Sequence, residues 1–133
     1  MDFPFIRKTI NNINAANLSF SMVSVIIGGQ FGDEGKGKIV DVLAADADYI
    51  VRYQGGANAG HTIKINGKET ILHLVPSGIL YPHTRNVIGN GVVVDLLALK
   101  HEMEELRSYG VSFTGRFFIS DQAHIIFPWH RLL

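Results

Sequence analysis

The eleven residues from Gly28 to Lys38, GGQFGDEGKGK, constrain the fold more than any other stretch of this chain. They follow the apolar run Met22–Ile27 and precede a helix-like segment, Ile39–Ala45. A strand, a glycine-rich loop and a helix N-terminus together form an arrangement that holds nucleotide phosphates. Glycines let backbone N–H groups approach the anion, and the helix end presents unpaired donors with a partial positive charge. Lys36 and Lys38 add mobile cations. The loop reads as a phosphate cradle; its alternative is a glycine-rich turn with solvated charges.

The details narrow the chemistry. Gly32-Asp-Glu-Gly-Lys-Gly37-Lys38 fits the first part of the pattern G-x-x-x-x-G-K, but Ile39 stands where Ser or Thr would hold Mg²⁺. Asp33 instead places a carboxylate inside the loop. An acid against a triphosphate is repelled unless a metal bridges the two or the acid moves a proton. Asp33 is therefore a candidate for metal ligation, for general-base work, or for both. The dinucleotide fingerprint G-x-G-x-x-G fails on glycine spacing.

At 133 residues the chain makes one domain at most, and 47% hydrophobic residues predict a packed core. Twelve basic and twelve acidic residues cancel, which argues against nonspecific binding to nucleic acid or an anionic membrane. Without cysteine there is no disulfide, thiolate nucleophile or cysteine-held zinc, a composition compatible with the cytoplasm. No apolar run reaches membrane-spanning length.

Residues 1–21 read as a disordered N-terminal extension, with Met22 an alternative start and only Arg7 and Lys8 supporting a transit peptide. Beyond them, a strand over 22–27, loop 28–37 and a helix over roughly 36–46 form a first βα unit. A strand is predicted at Tyr49–Tyr53, with a second glycine-rich loop from Gln54 to Gly60. Period-two segments 62–65 and 70–74 flank Asn66-Gly67, a hairpin signal. Gly89-Asn-Gly91 predicts a tight turn between Val87-Ile88 and Val92–Val94. Asp95 caps a helix with Leu96, Leu99, Met103 and Leu106 on one face, ending near Gly110, and Arg116–Ile119 reads as another buried strand. The expected fold is α/β and P-loop-like: a mainly parallel sheet with flanking helices and a β-hairpin, forming an incomplete domain.

His61 lies in the second loop, where an imidazole can donate a proton or hydrogen bond at neutral pH. His73 alternates within a strand and reads as structural, with substrate contact the alternative. His83, His101, His124 and His130 form no metal-ligand spacing.

Four blocks then occur in order: GGQFGDEGKGKIVD, VRYQGGANAGHT at Val51–Thr62, LHLVPSGIL at Leu72–Leu80, and IGNGVVVD at Ile88–Asp95. Together they closely resemble the adenylosuccinate synthetase family, over roughly Val23 to the C-terminus. The resemblance implies a GTP-dependent ligase joining IMP and L-aspartate in purine biosynthesis, in a cytoplasmic homodimer. It implies that Asp33 is the general base, His61 the general acid, and Lys36 the cation on the transferring phosphoryl group. Mg²⁺ would rest on the Asp33 carboxylate and the Gly60 carbonyl. GTP would contact Gly32, Asp33, Glu34, Gly35, Lys36, Gly37, Lys38, Gly60, His61 and Thr62. IMP would contact Asp33, Glu34, Gly35, Lys36, Asn58, Ala59, Gly60 and His61. Residues 22–133 would be the N-terminal part of the GTP/IMP-binding domain. Phe31 replaces the tryptophan common in the family, and the segments that read guanine, aspartate and the IMP phosphate would lie beyond Leu133. The isolated chain is therefore expected to be inactive. A noncatalytic nucleotide-binding module remains the alternative; a switch-type GTPase is disfavoured by Ile39 and by the lack of an N-K-x-D motif.

Overall fold

The computed structural model describes residues 22–29, 35–65 and 67–131. Two compact units divide the chain, Met1–Lys36 and Gly37–Leu133. All the elements below lie in the second unit, apart from the first residue of the opening helix. That helix, α1 (Lys36–Ala44), is followed by strand β1 (Tyr49–Gly55) and a hairpin of β2 (His61–Ile65) and β3 (Lys68–Leu72). A 3₁₀ turn (Ser77–Leu80) leads to the long strand β4 (Arg85–Asp95) and helix α2 (Leu96–Ser108). Short strands β5 (Phe117–Ile119) and β6 (His124–Ile126) and a second 3₁₀ turn (Pro128–Arg131) complete the order.

The sheet is organised around β4. β1 pairs with it in parallel from Tyr49↔Arg85 to Gly55↔Val92, β5 pairs in parallel at 86–88, and β6 pairs in parallel at 93–95. The hairpin that the sequence predicts is a separate antiparallel pair, from His61↔Leu72 to Ile65↔Lys68. No helix among the described residues is long and apolar enough to cross a membrane.

Alternation along β4 sends Ile88, Val92 and Val94 into a core shared with Ile63, Leu72, Leu74, Val75 and Ile79. Helix α2 closes this core with Leu99 and Leu106, both buried. Each such side chain contributes about 1.5–3 kcal/mol through removal from water. Asp95 fixes the start of α2, its Oδ1 accepting from the N–H groups of Leu97 and Ala98 at 3.1 Å each. The helix ends as Gly110 N–H donates to Arg107 O (2.9 Å) and Val111 N–H to Leu106 O (3.1 Å). This paired C-terminal motif satisfies carbonyls the helix leaves open.

Four expectations from sequence are corrected. Residues 22–28 form neither helix nor strand, and Met22, Val23, Val25 and Ile27 are exposed. Apolar content favours a strand, but a strand exists only through its ladder, and β4 draws its partners from within 49–126. Gly89–Gly91 is no turn. β4 runs through it, and the register against β1 slips between Arg52 and Gln54, a bulge. The reason is crowding: a Cβ on Gly91 would sit 2.4 Å from the Tyr53 carbonyl oxygen. Third, Leu96 is half exposed, because the cap turns the first residue of α2 away from the core. Fourth, β5 is not buried; Phe118 and Ile119 are exposed, and Phe117 alone packs inward, edge-on to Phe113 at 5.5 Å. Strand β6 was not expected at all, three residues being too short to show a period.

The close approach at Gly91 gives a direct test. Gly91→Ala should lower the unfolding free energy by about 2 kcal/mol or more in urea titration, through overpacking. Gly56→Ala, whose added methyl would meet Val93 O at an ordinary 3.5 Å, should cost under about 1 kcal/mol. Equal losses would remove backbone crowding as the cause of the bulge.

Candidate functional site

In parallel sheets ligands bind beyond the carboxyl ends of the strands. The carboxyl end of β1 opens into the second glycine-rich loop, residues 56–60, which returns into β2 at His61. Asn58, Ala59 and Gly60 are exposed on this loop and Thr62 on β2, all accessible to a ligand. The structure thus brings together four of the residues picked out from sequence.

His61 is placed by two contacts with α1. Its ring lies against the bare α-carbon of Gly37, where a Cβ would come within 2.8 Å of the His61 Cβ and Cγ. A side chain at position 37 would push the imidazole away, so glycine here sets a contact as well as a loop. One turn further along the same helix face, Asp41 Oδ1 lies 3.5 Å from His61 Nε2, both side chains about one-third exposed or less (30% and 27%). This is an ion-pair distance without hydrogen-bond geometry, and both atoms are buried with no hydrogen-bond partner.

Burial pushes the Asp41 carboxyl up, but the side chains of His61 and Ser77 and the His61 charge outweigh it. The net pKa lies below the ordinary value of 3.8. Asp41 therefore favours its ionised form and sets a negative charge 3.5 Å from the His61 ring. Ser77 Oγ and His73 Nδ1 are further buried atoms without a partner. His73 lies just past β3 with its ring against Gly60, where an added Cβ would meet its Cε1 and Nδ1 at 2.8 Å.

The loop is also tied from below. Arg52 of β1 is half-buried and donates from Nη2 to the Gly56 carbonyl oxygen at 2.9 Å. Burial pulls the Arg52 pKa down, while the Glu102 carboxylate pushes it up; the net direction is down. Glu102, on α2, accepts from three backbone amides: His73 (2.9 Å), Leu74 (2.9 Å) and Val75 (3.1 Å).

Of the other residues expected to act, Gly32, Asp33 and Glu34 lie outside the described residues. Gly35 precedes α1 in a left-handed conformation (φ 73°), which favours glycine there, and Lys36 opens the helix. Lys38 is exposed in its first turn. Sequence reasoning missed Asp41, Ser77, Arg52 and Glu102. Asp41 had one readable signal, its four-residue spacing from Gly37; the other three act through the tertiary fold. An open hollow of about 410 Å³ lined by Asp48, Tyr49, His83 and Arg85 lies at the amino ends of β1 and β4, away from this loop.

Comparison with known proteins follows the same residues. A family model described as adenylosuccinate synthetase matches residues 25–133. An adenylosuccinate synthetase from Chlorobium chlorochromatii is 57% identical over 112 residues, 84% of this chain and 26% of that protein. One from Halothermothrix orenii is 59% identical over 109 residues, 82% of this chain and 25% of that protein. The chain thus spans about a quarter of the length of the curated relatives it matches. Among solved structures, fully ligated adenylosuccinate synthetase from Plasmodium falciparum superposes with a TM-score of 0.67 at 48% identity, covering 79% of this chain and 24% of that one. A cyanophage S-2L succinoaminodeoxyadenylate synthetase, bound to dGMP and dATP as an energy donor, gives 0.60 at 25% identity, covering 77% and 29%.

The state of Asp41 can be read from pH dependence. A carboxyl whose folded pKa is lowered contributes stability above its ordinary value and loses it as pH falls through the lowered one. The gap in unfolding free energy between the wild type and Asp41→Asn should therefore narrow as pH falls below 3.8. Urea titrations from about pH 6 to about pH 3 measure it. A gap that stayed constant or widened there would show that the Asp41 charge is not stabilised by its neighbours.

Proposed function

The chain belongs to the adenylosuccinate synthetase family, and from that premise we propose that residues 22–133 carry the phosphate loop and the acid–base pair of a GTP-dependent ligase. The reaction joins IMP and L-aspartate into adenylosuccinate and releases GDP and phosphate. The observation that carries this reading is the seating of His61 on α1, by Gly37 and Asp41, in the helix that leaves the phosphate loop.

The proposed chemistry runs through 6-phosphoryl-IMP. The Asp33 carboxylate takes the proton from N1 of IMP, which leaves O6 nucleophilic. O6 forms a bond to the γ-phosphorus as the bond to GDP breaks. His61 donates a hydrogen bond to the charge that develops there, and Lys36 stabilises the transferring phosphoryl group. Lys38 holds nonbridging oxygens. The amine of aspartate then attacks C6, and phosphate leaves with the O6 oxygen. Asn58, Ala59 and Gly60 border the nucleoside side of the same loop. Such a transfer depends on positioning more than on covalent protein chemistry, which suits a histidine held on two sides.

Mg²⁺ fits the donors available. Asp33 offers a carboxylate, and Gly60 presents its backbone at a place where a Cβ would meet Ile71 Cγ2 at 2.6 Å, so the chain there stays bare. Hard oxygen donors of this kind, completed by phosphate oxygens, suit this ion. When bound it neutralises phosphate charge. We place the protein in the cytoplasm as a homodimer, with no nucleic-acid or membrane partner.

The reading is tested in a chimera in which residues 25–133 replace the matching segment of the Chlorobium chlorochromatii relative. The chimera should form adenylosuccinate, and Asp33→Ala and His61→Ala should each lower kcat by about 10²-fold or more with little change in Tm. Near-normal kcat in either variant would sink that residue's role. A chimera that binds GTP and IMP calorimetrically yet never turns over would favour a noncatalytic nucleotide-binding module.

A further inference from the structure

Glu102 is a buried charged residue that the proposed reaction does not use. It is 7% exposed on the core side of α2. A carboxylate removed from water is costly unless its oxygens are fully hydrogen-bonded. Here Oε1 accepts from the N–H groups of His73 and Val75, and Oε2 from that of Leu74. Three consecutive amides converge on one side chain, a geometry that fixes the backbone direction over that segment. Nearby Glu105 accepts from the Thr70 hydroxyl, so α2 grips the end of β3 and the residues after it with two carboxylates.

This grip reaches the second glycine loop through direct contacts. The segment that Glu102 holds begins at His73, whose ring lies against the α-carbon of Gly60. Gly60 immediately precedes His61, and His61 pairs across the hairpin with Leu72, the residue before His73. His61 in turn lies against Gly37 and Asp41. We propose that Glu102 is a positioning residue for His61: by collecting the amides of His73, Leu74 and Val75 it seats the His73 ring against Gly60 and so sets where His61 meets α1. Glu102 lies on a different element from every residue assigned to the reaction. This inference rests on the reading of His61 as the acid only for its kinetic consequence; the structural link is independent of it.

A glutamine cannot replace this carboxylate, because its NH₂ would face an amide N–H. The first arm uses the full chain. Histidine ring signals and amide hydrogen exchange are measured by NMR for the wild type, Glu102→Gln, His73→Ala and, as a control on the same helix, Glu105→Gln. Glu102→Gln should speed exchange at residues 73–75 by about tenfold or more and shift the His61 ring signals. His73→Ala should shift the same His61 signals with Leu74 and Val75 still protected, and it carries the test if Glu102→Gln does not fold. Glu105→Gln should leave His61 unmoved. A His61 ring unchanged in His73→Ala, or displaced equally by Glu105→Gln, overturns the inference.

The second arm uses the chimera. Glu102→Gln should lower kcat by about tenfold or more with KM for GTP little changed, and should cost nothing further when added to His61→Ala. Losses that add overturn the inference. If His61→Ala alone leaves kcat normal, the acid role of His61 has failed instead, and the NMR arm decides the positioning role by itself.

Discussion

One strand has to serve three partners. β4 lies between β1 and β5 and also pairs with β6 further along, always in parallel. A strand shared this way cannot choose its register for one neighbour alone. The slip opposite Arg52 and Gln54 resolves the conflict, and it is possible because Gly91 lets the Tyr53 carbonyl come closer than any side chain would allow. The carboxyl end of β1 thereby reaches Gly55, and the chain leaves the sheet as the loop that carries His61. The place of the candidate site therefore follows from a backbone contact in the sheet.

The same device recurs at the site. At Gly37 and Gly60 a bare α-carbon receives a histidine ring, His61 in one case and His73 in the other. A Cβ at either position would have to displace the ring, so both placements depend on glycine. Electrostatics then act on rings already in place: Asp41 sets a carboxylate 3.5 Å from His61 Nε2, and the Arg52 guanidinium holds the loop through the Gly56 carbonyl.

Sequence carried the local structure well where the signal was chemical. Asp95 as a cap, Gly110 beyond the helix end, and the Asn-Gly hairpin each depend on what one or two residues can do, so each is readable alone. The glycine-rich loop that ends at His61 was legible for the same reason. Partnership was not. The apolar run at 22–27 looks like a strand by content, and Gly89-Asn-Gly91 looks like a turn by composition, because nothing local announces which backbone will lie alongside. Glu102 shows the limit most clearly. Leu99, Glu102, Met103 and Leu106 share one helix face by period, and period alone would have buried the glutamate. Its charge argued for solvent, and only the three amides brought to it by the fold reverse that argument.

Two buried or half-buried carboxylates thus divide the work by what faces them. Asp41 faces an imidazole at 3.5 Å with about a third of each side chain in water. A pair so exposed contributes no more than about 1 kcal/mol. Glu102 faces three N–H groups with almost no water, and a hydrogen bond to a charged acceptor contributes about 1.5–3 kcal/mol. Removing Glu102 would also strand its donors in the core, so the asymmetry grows on mutation. The Glu102 end of this chain of contacts is therefore rigid, and the Asp41 end is soft. The order suits the role proposed for His61, with the backbone beside it fixed by the strong interaction and its charge environment set by the weak one.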